Sequence, residues 1–325
     1  MHKENYINTL TPDFSFTDFF LVKSLSIRTG SNRKLFLDVV LGDATGEING
    51  KKWDVTEDEV NVLDQIKEGD LVRVKADVTE WNGLLQLKIL RIRKTVKEDK
   101  LEMSDYIKTA PEDPARMFDY VLGRAETIGD PDLKGLTLRF LQENREKLLY
   151  YPAAMRNHHA ELGGLLYHIK RMLMAGEQMC GIYGFLDRDW VLCGVVLHDM
   201  EKLNEILSNE WGISPGYTLE GQLLGHLVQG VKAVDRMAAE AGISAEKAVM
   251  LEHMILAHHY EPEYGSPRKP MFPEAELLHY LDMLDAKMYD FEDALAGTPS
   301  GGFSQRVRTL DGRLLYKPTF KKDGE

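Results

Sequence analysis

VLCGVVLHDMEK, residues 191–202, runs from Val191 to Leu197 without a charge and then sets His198 and Asp199 side by side. An unbroken apolar run of this kind reads as a buried helix. Two ionisable side chains at its end are costly to desolvate unless something shares their charge. An aspartate has two carboxylate oxygens and can bridge two cations, while each neutral imidazole offers one nitrogen. His198 and Asp199 are therefore read as the centre of a metal site.

Working outward, the chain has ten histidines, and nine lie between residues 158 and 279. Most sit in apolar runs of helical period: GGLLYHI, LLGHLVQ, LEHMILAHHY and LLHYLDMLDA. A lone histidine in such a run is ordinarily a satisfied core residue, but several on different helices, joined by carboxylates, point to a shared cation. His168, His226, His258 or His259, and Asp282 join the central pair, enough ligands for two ions. From residue 115 to about residue 295 the chain is helical in period. Thr218 marks one helix start, and Ser244 another without a capping box, because Lys247 stands where an acid would complete it. No internal repeat is present.

The N-terminal third has another rhythm. FFLVKSLSIRT, KLFLDVVLGD, DLVRVKADVTE and LLQLKILRIRKTV alternate apolar and polar residues between the turn signals GSNRK, GDATGEING, EGD and WNG. About five short strands in roughly eighty residues suit a small closed barrel, and their order resembles the OB-fold, whose middle strands and loops form a ligand face. Ser31, Asn32, Arg33 and Lys34 fall in the first loop, Phe36 and Trp53 by the middle strands, and Trp81 at the last hairpin. Aromatic rings stack bases and cations hold phosphates, so Arg33, Lys34, Phe36, Trp53 and Trp81 are the candidate substrate contacts. The alternative is plain packing for the tryptophans and a solvated face for the cations. The segment from Leu71 to Lys97 carries seven Lys or Arg against two acids, the reverse of the overall balance.

The fold class is thus multidomain α+β: a five-stranded OB-fold barrel over 12–98, a linker and leading helices over 99–150, an all-α domain over 151–298 and an extended tail over 299–325, with YKPTF docking on the body. The net charge of −12 repels polyanions, so nucleic-acid affinity must come from a local basic surface or bound cations. Cys180 and Cys193 are too few and too far apart for a redox or zinc motif and read as buried thiols. No stretch has the length of a membrane span, and the N-terminus lacks the apolar core of a signal peptide, so a cytoplasmic location is expected.

The ordered series His168, His198-Asp199, His226, His258-His259, Asp282 resembles the HD superfamily of metal-dependent phosphohydrolases. Through HHAELGGLLYH, VVLHDMEK, YTLEGQLLGH, LAHHYEPEYGSP, LHYLDMLDAKM and YKPTF, most of the chain is similar to the YhaM family of 3′-to-5′ exoribonucleases, which join an OB-fold to an HD domain. One departure is Glu201, where the family often has glycine; it is expected to face solvent.

The resemblance implies two divalent cations, manganese first, with cobalt, iron(II) or magnesium as alternatives. One would take His168, His198, Asp199 and Asp282, and the other Asp199, His226, His258 and His259. Together they would activate a water for in-line attack on phosphorus and release nucleoside 5′-monophosphates. Asp199 and Lys202 would be catalytic, Lys202 meeting a non-bridging phosphate oxygen. Asp285 rivals Asp282 as final ligand, and His253 is divided between second-sphere support and packing. His158 and His159 would touch substrate phosphate or else lie on a loop surface, Tyr260, Tyr264 and Ser266 would line the entrance, and His279 is structural. The expected partner is single-stranded RNA, with single-stranded DNA as alternative, no membrane, and a homo-oligomer left open. Rival readings are a hydrolase of nucleotides or cyclic dinucleotides with a regulatory barrel, and a binding protein that has lost catalysis.

Overall fold

The computed structural model describes residues 3–320 except 31, 32, 82, 155–158, 160, 210, 211 and 215. The chain divides into two compact units, residues 1–109 and 110–325.

In the first unit, β1 (Ser15–Thr29), β2 (Leu35–Asp43), β3 (Gly46–Lys52), β4 (Leu71–Trp81) and β5 (Leu84–Lys94) form a closed barrel in the order β1-β2-β3-β5-β4, an OB-fold. β1 closes it by serving both neighbours: residues Ser15 to Leu21 pair with β4, and Leu21 to Thr29 pair with β2 across a register shift after Val22. Period-two alternation sends Phe16, Phe20, Leu37, Val39, Leu41, Val72, Val74, Ala76, Val78, Leu87 and Ile89 inward. Helix α1 (Glu57–Leu63), begun by a Thr56–Glu59 capping box, adds buried Leu63 to that core. GDATGEING, expected as a turn, is corrected: only Asp43 to Gly46 close the hairpin, and β3 starts at Gly46. Two glycines and two lysines in GEINGKK hide a strand whose inward positions are only Ile48 and Gly50.

The second unit contains α2 (Pro114–Ala125), α3 (Pro131–Glu143), the single turn α4 (Arg145–Leu148), α5 (Gly164–Ile182), α6 (Arg188–Leu197), the turn α7 (Lys202–Glu205), α8 (Leu219–Ala241), α9 (Ala245–Ala257) and α10 (Pro273–Ala296). A two-residue strand pair, β6 (Ile206–Leu207) with β7 (Gly216–Tyr217), qualifies the all-α expectation. Residues 110–150 are more than a lead-in: Met117, Phe118, Val121, Leu133, Leu136 and Leu141 share one core with the histidine helices. Burying Val191, Leu192, Val195, Val196 and Leu197 of α6 there stabilises the unit by roughly 1.5–3 kcal/mol per side chain. The tail folds back on itself instead of running extended, with bridges Phe303↔Tyr316 and Val307↔Arg313 and with Leu310 and Leu315 buried. Among the described residues, no helix is long and apolar enough to cross a membrane.

Candidate metal centre

Helix ends deliver the histidines. α6 stops at Leu197 with His198 as C-cap, and α9 stops at Ala257 with His258 as C-cap and His259 beyond it. Ending α9 there frees the paired histidines from a single helix face, and Tyr260 makes the turn at φ +67°. α5 and α10 supply His168 and Asp282 from their interiors. α8 supplies His226 through a break: Gly225 lies at φ +67° inside the helix, a conformation that glycine adopts without a Cβ penalty. A Cβ on Gly221, one turn earlier, would lie 2.2 Å from the Glu205 carbonyl, so glycine lets α8 close on the α7 turn.

Each imidazole is held by Nδ1. His198 and His258 donate to the carbonyls of Val195 (2.9 Å) and Ile255 (2.7 Å), and His259 donates to that of Tyr264 (2.7 Å). His226 Nδ1 meets Glu205 at 2.9 Å, and His168 Nδ1 meets Asp285 at 2.7 Å. Donation at Nδ1 fixes the tautomer and, in a neutral ring, leaves Nε2 with a lone pair.

Those lone pairs converge on Asp199. Its Oδ2 lies 3.2 Å from His198 Nε2 and 2.7 Å from Lys202 Nζ, and its Oδ1 lies 3.3 Å from His226 Nε2 and 3.8 Å from His258 Nε2. His168 Nε2 lies 3.4 Å from Asp282. The Nε2 atoms of His198, His226 and His258 and Oδ1 of Asp199 are buried without a hydrogen-bond partner. Orphaned buried acceptors facing one point are costly alone and suit a divalent cation. Two triads with mutually close ligand atoms, His168–His198–Asp282 and His226–His258–His259, flank a third, His198–Asp199–His258.

The electrostatics agree with that donor set. Burial works against charge on Asp199, but Lys202, His198 and His226 overcome it and hold the carboxyl well below the usual range. Burial likewise opposes ionisation of Asp282, and His168 overrides it. His258 is pushed well below its ordinary value by burial, with His259 and His198 adding to the push, so it stays neutral with its lone pair available. Burial lowers His168, yet Asp282 and Asp285 outweigh it and raise the ring to about 9.

Several site expectations need correction. His159 is fully buried behind His168, bonding Asp285 through Nε2 at 2.8 Å and packing on Tyr289 (ring centroids 4.1 Å apart), so it is not placed to meet substrate. His158 lies outside the described residues. Ser266 is fully buried and accepts from the backbone of His259 at 3.1 Å, which makes it a tether of the loop, not a lining residue. Asp285 is committed to His159, His168 and Arg171 on the Nδ1 side of His168, away from the converging lone pairs, and Asp282 occupies the Nε2 side. His253 accepts from Met271 N at 3.0 Å and packs on Phe272, outside the cluster. His279 donates to the His258 carbonyl and stacks on half-buried Tyr260, while Tyr264 is exposed. Glu201 accepts from Asn204 at 2.7 Å and does not join the cluster. Glu205, behind His226, was not foreseen; the need of a ligating imidazole for an acceptor on its other nitrogen was the available signal.

On the barrel, Phe36 and Trp53 stack at 4.9 Å with Lys51 over both rings, and Trp53 is half exposed. Trp81 is exposed at the β4–β5 hairpin, and Lys34 pairs with Asp54 at 2.9 Å. Arg33 is exposed at φ +63°, and Ser31 and Asn32 lie outside the described residues.

Fold and site together define a class: an OB-fold barrel joined to a helical domain with the histidine–aspartate centre of the HD superfamily. Family profiles agree, one described as "OB-fold nucleic acid binding domain" over residues 22–95 and one as "HD domain" over residues 165–287. The chain belongs to the YhaM family. It is 38% identical over 302 residues to the 3′-5′ exoribonuclease YhaM of Geobacillus sp., covering 93% of this chain and 91% of that protein. To the protein of the same name from Halalkalibacterium halodurans it is 37% identical over 303 residues, covering 93% and 92%.

Proposed function

We propose that this chain is a metal-dependent 3′-to-5′ exoribonuclease that releases nucleoside 5′-monophosphates from single-stranded RNA, with single-stranded DNA as a second substrate. The observation that carries the proposal is the convergence of buried, unpartnered imidazole nitrogens on Asp199, in a chain that matches exoribonucleases over nine-tenths of its length.

His168, His198, Asp199 and Asp282 would hold one divalent cation, and Asp199, His226, His258 and His259 a second. Support comes from Asp199, whose two oxygens face opposite triads. Cations bound there supply Lewis acidity to a phosphate oxygen and lower the pKa of a water. The chain's own part is orientation: Nδ1 bonds stop the rings from turning, and the buried surround keeps His258 neutral. Lys202 holds an ammonium at the edge of the cluster, against Asp199, to meet a non-bridging phosphate oxygen. Stacked Phe36 and Trp53 offer a platform for bases, and Lys51 a charge for phosphate. By family likeness manganese is the preferred ion, over cobalt, iron(II) and magnesium.

Digestion of 5′-labelled RNA and DNA strands of one sequence, with metal analysis of the purified protein, tests the reading. A ladder shortened from the 3′ end, with 5′-monophosphates as product, is expected. Hydrolysis confined to mononucleotides or cyclic dinucleotides overturns it and leaves the barrel a regulatory module. A cytoplasmic location and self-association belong to the same proposal, and cell fractionation and sedimentation test them.

A further inference from the structure

The basic stretch at β4–β5 serves none of the roles above. It lines an open cavity of about 570 Å³ formed by β1, the end of β3, α1, β4 and β5. Five cations border that cavity, Lys52, Arg73, Lys75, Arg91 and Arg93, with Glu59 the one acid among its lining residues. Lys52 is neutralised by Glu59 at 2.9 Å, and Arg93 by a two-point bridge to Asp99. Among the described residues no carboxylate pairs with Lys75 or Arg91, and Arg73 shares the charge of Asp99 with Arg93 at longer range, although the chain carries twelve more acidic than basic side chains.

The register makes this arrangement costly. In the antiparallel β4–β5 ladder Arg73 stands directly opposite Arg93, and Lys75 directly opposite Arg91, next to a register shift. Like charges facing each other across a strand pair destabilise a sheet. A fold that needed only a solvated surface would place acids or neutral residues at one member of each pair. Arg73 is also held in place, its guanidinium 5.6 Å from the Phe19 ring centroid.

We infer that this cavity is a second nucleic-acid contact on the barrel, in which Arg73, Lys75 and Arg91 clamp consecutive phosphates of a single strand while Phe36 of β2 and Trp53, just past β3, stack its bases. The inference rests on the exonuclease reading for the identity of the strand. Phosphodiester oxygens fit because they bring repeated negative charge at a spacing that several separate cations can meet.

The test is binding of the full-length protein to an oligouridine of about twenty nucleotides, longer than the ~4–16 one such barrel covers. Its 3′-terminal linkages are phosphorothioates to slow digestion. The variant Arg73→Ala/Lys75→Ala/Arg91→Ala should bind about tenfold or more weakly near physiological salt, with a salt slope flatter by about two. KM for the long strand should rise, while kcat on a dinucleotide stays unchanged. Arg73→Lys/Arg91→Lys, which keeps the charge, should bind nearly as the parent does. An unchanged affinity and salt slope in the triple variant overturns the inference. If Trp53→Ala weakens binding and the triple variant does not, the cavity falls and the exonuclease reading stands. If the wild type neither binds nor digests any strand, that reading falls and the inference with it.

Discussion

Asp285 shows how much of the site depends on residues that face away from it. Its carboxylate meets His159, His168 and Arg171 at once, and burial against its charge is overridden by His159 and His168, which hold it below the usual carboxylate range. Asp285→Asn should weaken manganese binding by roughly 10- to 100-fold through loss of His168 orientation. Titration calorimetry on the folded variant reads this directly, and parental affinity would show the carboxylate to be idle. His168, raised to about 9 by Asp282 and Asp285 against its burial, would have to lose a proton to hold a cation. Its folded-state pKa lies above the free value, so its stabilisation is full below about pH 6.5 and fades as pH rises through about 9. Metal binding draws on that same proton, so affinity measured in the same titration should increase from pH 7 to 9, and a flat profile would contradict the assignment. That His168, His198, Asp199, His226, Asp282 and one or other of His258 and His259 lie together was legible because ionisable residues in apolar helical runs stand out in one dimension. The true neighbours of His159 and Ser266 were not, since a tertiary contact decides whether a polar residue near a site faces it or supports it.

At the scale of elements, the break in α8 carries the most consequence. Hydrophobic period ran straight through Gly225, because one residue at positive φ leaves the apolar spacing on either side intact. Gly225→Ala should cost about 1–3 kcal/mol of stability, the penalty of a Cβ at φ 67°, ψ 167°, a backbone region that essentially only glycine adopts. It should also pull His226 out of line with Glu205 and Asp199, so a denaturant midpoint and a metal titration should both fall. A midpoint that holds would show that the break is not required. In the barrel, four strands announced themselves by alternation, whereas β3 and α1 did not. β3 has only Ile48 as an inward apolar side chain, and the seven-residue α1 is too short to display a period.

For the whole molecule, two compact units predict separable losses. Asp199→Ala should abolish hydrolysis while leaving strand affinity within about twofold, because the barrel platform uses no ligand of the centre. Trp53→Ala should do the reverse, weakening strand binding by about 1–3 kcal/mol, seen as a higher KM with kcat retained on a dinucleotide. Fluorescence anisotropy and steady-state rates on both variants separate the cases, and equal loss of both activities in either one would count against independent modules. The division was readable because hydrophobic period changes from two to 3.6 along the chain; the fold of the tail was not, because its bridges join residues that carry no such pattern. His198 and His258 each hang from a carbonyl three residues upstream, at the last turn of their own helix. The aim of those two rings is thus inscribed in where a helix stops, through a backbone carbonyl and not a side-chain acceptor, so trimming a neighbouring side chain should leave their direction unchanged.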